Sequence, residues 1–204
     1  MGYPSRREAE AMLRWAGEQN PGRWVDHSVN AARIAETVAL AAGLDADKAY
    51  VLGLLHDVGR FEGIRDLHHV IAGYELMRDR GYDVSARICL THSFPYKRLG
   101  AYSGQCSDCS ERELAQLERF LERAEYDDYD RLIQLCDAMS LPRGVTIVDA
   151  RLVDVAMRHG FNDHTIQKWQ SIFDIKSHFD GLCHGNVYAL FREEIEESTF
   201  HTDL

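Results

Sequence analysis

The 204-residue sequence has no stretch near the roughly 18 consecutive apolar residues of a membrane-spanning helix, so no part of it reads as a membrane anchor. Its first residues, MGYPSRREAEAMLRWAGEQ, form an amphipathic pattern carrying acids rather than a secretory signal, and the expected location is the cytoplasm. Positive charge is also in short supply. With 23 Lys and Arg against 33 Asp and Glu, the formal net charge is −10, which argues against the broad basic surface of a non-specific nucleic-acid binder. An anionic substrate would have to be drawn in by local cations. Cysteine is sparse and odd in number: Cys89, Cys106, Cys109, Cys136 and Cys183 read as reduced thiols rather than a disulfide framework. Cys106 and Cys109 form a CxxC, but no second pair follows at zinc-site spacing, and the pair is read as part of a polar surface loop. Missing too is any sustained alternation of apolar and polar residues, so no strand is expected. What remains, 45% hydrophobic and 27% charged residues, is a globular composition, and the length suits a single domain over residues 1–204.

Helical periodicity fills that space, and the expected fold class is all-α. A first helix near 5–19 stops at Asn20-Pro21-Gly22, because proline disfavours helix in the residue before it. A second starts near Trp24, repeats His27, Ala31, Ile34, Ala35 and Val38 at steps of three and four, and ends at Gly43. Asp45 can cap a third, whose last turn is expected to carry His56 and Asp57, with Gly59 as its stop. Helices from about His69 to Arg80 and Val84 to His92 each place a histidine at an end. Gly100 to Ser110 reads as an excursion loop, Glu111 to Arg123 as a charged helix, and Tyr129 to Met139 as a mainly apolar helix around Asp137, ended by Pro142-Arg143-Gly144. Three further patterns near 147–159, 164–179 and 185–197 form a C-terminal helical extension, about 145–204.

His27, His56, Asp57 and Asp137 stand out because they fall on apolar helix faces. A lone histidine there is more often a hydrogen-bonded core residue than a ligand. An unpaired carboxylate in low dielectric, however, is costly, so buried acids are protonated, paired or metal-bound. A divalent cation satisfies both aspartates at once, with neutral imidazoles as its usual companions. Four such residues together, with an adjacent His-Asp, point to a metal site.

Those residues resemble the signature of the HD superfamily: a histidine, a later His-Asp doublet and a distant aspartate, each from a different helix. His27 in DHSVNAARIA, His56-Asp57 in GLLHDVGR and Asp137 in LIQLCDA match it over about residues 24–140. Many members add two histidines, which His69 in HVIAGYEL and His92 in ICLTHSF fit; the spacing to Gly73 favours His69 over its neighbour His68. The GYP motif of the cyclic dinucleotide branch is absent from the matched segment, and so is the adjacent pair of histidines that some binuclear branches place further on. The resemblance implies an HD-domain helical bundle holding one or two divalent metals, iron or manganese before others. His27, His56, Asp57 and Asp137 would hold the first, and His69, His92 and a bridging Asp57 the second. It further implies an enzyme, a metal-dependent phosphohydrolase that cleaves a nucleotide or other small phosphoester with a metal-activated hydroxide. Asp57 and Arg60 are the expected catalytic residues, and Arg60, Lys97 and Arg98 the expected substrate contacts, with Arg143 a weaker candidate. The superfamily also contains di-iron oxygenases and non-catalytic signalling modules. His159, His164, His178, His184 and His201 fall outside the matched segment and are read as structural or exposed.

Overall fold

A computed structural model describes residues 2–200, so His201 lies outside the described residues. Helix α1 (Arg6–Gln19) opens on a capping box in which Ser5 and Glu8 satisfy each other's backbone amides. Helix α2 (Trp24–Ala41) buries Ala31, Ala32, Ile34 and Ala35, and helix α3 (Ala46–Leu55) starts where the Asp45 carboxylate accepts from the Lys48 amide. These two helices cross at Gly53. A Cβ there would stand 2.8 Å from the Ala32 Cα, an approach that only glycine permits.

The His-Asp doublet does not ride on the last turn of α3, as the sequence pattern predicts. The helix ends at Leu55, His56 is its C-terminal cap, and Asp57 leads into a 3-10 turn over Val58–Glu62. Gly59 is a contact point rather than a helix stop. A Cβ there would lie 2.0 Å from the His69 carbonyl oxygen and 2.3 Å from the Gly73 nitrogen, so the absent side chain lets this turn lie directly on helix α4 (His68–Asp79).

Helix α5 (Asp83–Thr91) packs on α4 and leads to a loop containing a short 3-10 turn, Leu99–Ala101. Helix α6 (Glu111–Arg123) follows, opened by a Ser110–Glu113 capping box. Cys106 and Cys109 are not on a purely polar loop, for they pack half-buried against the cluster of Leu67, Val70, Phe94 and Leu117 beneath it. Helix α7 (Asp128–Met139) hides more polarity than Asp137 alone. Asp130 is fully buried, held by Arg87 at 2.9 Å and by the Thr91 hydroxyl at 2.8 Å, and Gln134 is buried beside it.

After α7 comes a ribbon that the sequence shows only as a break: β1 (Ser140–Leu141) pairs antiparallel with β2 (Gly144–Val145), Ser140 opposite Val145, across a Pro142-Arg143 turn. Two residues per strand are too few for alternation to register. Helices α8 (Val148–His159) and α9 (Thr165–Leu182) follow, then a 3-10 turn, Val187–Phe191, and α10 (Arg192–Phe200), where the sequence suggests one helix over 185–197. Leu152, Ile172, Phe179 and Phe191 from this half share one apolar cluster with Ile34, Val38, Leu132 and Leu135. Apart from the ribbon the described chain is all-α, and none of its helices is long and apolar enough to cross a membrane.

Candidate metal centre

Four histidines are brought together from four segments of chain. His27 comes from the first turn of α2, His56 from the end of α3, His69 from the first turn of α4 and His92 from the end of α5. All are buried, and neighbouring ring centroids lie 4.9 to 5.6 Å apart. Each has its Nδ1 tied off by a backbone carbonyl. His27 is 3.2 Å from the Ser140 oxygen, His56 2.7 Å from Gly53, His92 3.0 Å from Cys89, and His69 pairs with Asp66. A carbonyl can only accept, so every Nδ1 carries a proton, and Nε2 is the ring atom left to face the cluster, where it offers a lone pair whenever the ring is neutral. Ser140 returns the contact, its hydroxyl donating to the His27 carbonyl at 2.8 Å.

Those lone pairs converge on two carboxylates. Asp57 Oδ1 lies 3.1 Å from His69 Nε2 and 3.5 Å from His92 Nε2, while its Oδ2 faces His56 Nε2 at 3.9 Å. Asp137 Oδ1 is 3.0 Å from His27 Nε2 and 3.9 Å from His56 Nε2. Asp57 is buried, but Asp137 keeps 29% of its side chain exposed and stands at the mouth rather than in the core. Burial drives the His56 pKa down to about 4, against the pull of Asp57, so this imidazole is neutral. Burial raises Asp57, but the Arg60 guanidinium against it leads the opposing contacts, which hold its carboxyl well below the ordinary range. His27, His56 and Asp57 form one group whose ligand atoms lie within 4.8 Å of one another, and Asp57, His69 and His92 form a second.

This donor set fits divalent metal. His56 Nε2, Asp57 Oδ1 and His69 Nε2 are buried atoms without a hydrogen-bond partner, an expensive arrangement unless a cation completes it. The backbone carbonyls behind each ring supply the outer contacts that orient metal-binding histidines. His68 does not join them. Its ring lies between Glu62 at 3.2 Å and Glu113 at 3.4 Å.

The predicted cations divide. Arg60 is in the site, its Nε donating to Asp57 Oδ2 at 2.5 Å. Lys97 and Arg98 are not: Lys97 Nζ donates to the Ala124 carbonyl at the end of α6, and Arg98 pairs with Glu122 at 3.7 Å. Both answer charge at the C-terminal end of α6, where orphan carbonyls and an acid attract them. Arg143 is exposed on the ribbon turn.

In their place α8 and α9 supply Arg151, Arg158, His159 and Lys168 to a cleft of about 390 Å³ over the ligands, which Trp24, Tyr102 and Pro142 also line. The sequence reading leaves His159 outside the site, and the structure puts it in this wall. Lys168 Nζ donates to the Ser103 hydroxyl at 3.1 Å, tying α9 to the excursion loop. Burial lowers its pKa to about 8, against the attraction of Asp137. The loop is held from below too. Asp108 accepts from the Asp66 and His68 amides at the start of α4, and Asp66 accepts from the Tyr102 hydroxyl at 2.9 Å.

A family model of the HD domain matches residues 24–141, more than half of the chain and all six ligand candidates. Neither a search of curated proteins nor one of solved structures returned a match.

Proposed function

Because the chain belongs to the HD-domain family, we propose that it is a metal-dependent phosphohydrolase that cleaves a nucleotide or other small phosphoester. One observation carries the reading: four imidazoles, each fixed as the Nδ1–H tautomer by a carbonyl behind it, aim their Nε2 lone pairs at the carboxylates of Asp57 and Asp137. His27, His56, Asp57 and Asp137 would hold one cation, and Asp57, His69 and His92 a second. The geometry around Asp57 supports a bridging role, since its two oxygens face different histidines. Divalent cations supply Lewis acidity in such a site, activating water and offsetting charge on phosphoryl oxygens.

The protein's own groups do the rest. Arg60 holds the Asp57 carboxylate in one orientation and brings positive charge to the edge of the ligand cluster. Arg151 and Lys168 face the ligands from the opposite wall, placing cations where an acidic protein would otherwise repel a phosphate. Tyr102 and the excursion loop close one side of the cleft and limit water.

The test is metal analysis of protein purified without chelator, followed by a phosphate-release screen across nucleotides, dinucleoside polyphosphates and simple phosphomonoesters with manganese or iron. Metal at one or two equivalents with phosphate release is the expected result. Oxygen uptake without phosphate release would replace the hydrolase with an oxygenase, and absence of bound metal would remove both.

A further inference from the structure

Behind Asp137 a second chamber of about 90 Å³ opens off the cleft, sharing His92, Asp137, Arg151 and Lys168 with it. Its inner wall is apolar, made by Leu152 of α8 and by Trp169 and Ile172 of α9, with Val155 of α8 where the chamber meets the cleft. One uncharged amide is set into that surface. Gln134, one turn before Asp137 on α7, is 1% exposed; its Nε2 donates to the Thr91 carbonyl at 2.9 Å, while its Oε1 has no donor. The amide cannot be turned over, because that would set two oxygens face to face at the same 2.9 Å. The chamber therefore has an apolar inner wall, cations and two serines, Ser93 and Ser103, on the side it shares with the cleft, and one buried acceptor without a donor.

We propose that this chamber receives the organic part of the phosphoester, as a compact uncharged group that gives one O–H or N–H to Gln134 Oε1. Arg151 and Lys168, at the junction of chamber and cleft, hold the phosphate over the metal ligands. The assignment rests on the phosphohydrolase reading and narrows it. A cavity of about 150 Å³ is what admits a benzene ring, and the chamber is smaller, about 90 Å³. A short hydroxylated carbon chain fits where a purine does not.

The full chain loaded with manganese tests this by calorimetry against butylphosphonate with and without a terminal hydroxyl, adenosine monophosphate and inorganic phosphate. Phosphonates resist hydrolysis, so binding is read apart from turnover; phosphate release from propyl phosphate with and without the hydroxyl is followed in parallel. The hydroxylated phosphonate should bind about tenfold more tightly, and Gln134→Leu should bring that ratio to one while leaving the plain phosphonate unchanged. Val155→Phe, at a half-buried position where chamber and cleft meet, should narrow the way into the chamber and weaken both phosphonates more than inorganic phosphate. Equal affinities in the native protein, a ratio that survives Gln134→Leu, or tighter binding of adenosine monophosphate that Val155→Phe does not touch would overturn the proposal. Should Gln134→Leu not fold, the native ratio and Val155→Phe decide. Discrimination between the phosphonates with no ester hydrolysed would overturn the hydrolase and keep the chamber; hydrolysis without discrimination would do the reverse.

Discussion

The floor and the outer wall of the cleft are made on different principles. The floor, from α2, α3, α4, α5 and α7, falls inside the matched family segment and consists of buried imidazoles and buried or half-buried carboxylates, each ring fixed from behind by backbone. The wall, from α8 and α9, lies beyond that segment and carries Arg151 and Lys168, half-buried, and Arg158 and His159, exposed. On the proposed function the floor would hold the metal and the cationic wall would meet what approaches it. Reactivity and selectivity would then sit on separate parts of the chain, so that one can vary while the other is kept.

If this division is correct, substitutions in the floor should remove metal and activity together. Asp57→Ala is the strongest case: activity should disappear and metal content fall, because the shared carboxylate is gone and Arg60 is left beside buried histidines. Full metal occupancy in this variant would break the comparison at its base. Arg60 stands at the border. Arg60→Ala should cost about 1.5 to 3 kcal/mol in kcat/KM with metal stoichiometry unchanged, the range for a charge-assisted contact. Arg60→Lys should recover part of the loss, since a fork is replaced by a point charge. Metal loss in either would move Arg60 wholly into the floor.

Wall substitutions should be gentler and of another kind. Lys168→Ala is expected to raise KM by about tenfold with unaltered metal content, which steady-state kinetics beside metal analysis would read. A pH series reports the floor again, now through stability. His56 binds its proton near 6.5 when unfolded and near 4 when folded, so acid favours the unfolded chain. The Tm of metal-free protein should hold above pH 6.5 and fall as pH drops from there toward 4, and His69, also lowered by burial, acts in the same direction. A Tm flat across this window would mean that the imidazoles are not buried neutral. The smallest effect is expected from His68→Ala, which should keep both metal and activity because its ring lies between Glu62 and Glu113.

How much of this could be read from sequence follows the same division. His27, His56, Asp57 and Asp137 betray themselves because ionisable groups on apolar helix faces need an explanation, and the helices that carry them have periodic cores. Arg151, Lys168 and His159 give no such signal, since a cation on a partly exposed helix looks like any solvated surface residue. Lys97 and Arg98 mislead for the converse reason: they follow His92 closely, yet the chain turns at Pro95 and delivers them to α6. Gln134 and Asp130 give no signal either, since polar residues in a mainly apolar helix reveal their burial only once Arg87, Thr91 and the neighbouring helices are in place. The end of α3 is not legible locally, because Gly59 looks like a helix stop whereas its role depends on the His69 carbonyl above it, a contact that no local pattern encodes.

The reciprocal hydrogen bonds between His27 and Ser140 have a consequence for how the protein is made. The two residues are 113 positions apart, so the ring that anchors one end of the cluster cannot be oriented until α7 and its ribbon have been synthesised and docked. Bringing together points so distant in sequence is slow, because loop closure must come before the contacts that reward it. On the proposed reading, capture of a cation by the His27 side of the site would therefore follow the assembly of the helices rather than guide it: a nascent chain that has reached only α5 holds Asp57, His69 and His92 but still lacks Asp137 beside His27 and His56.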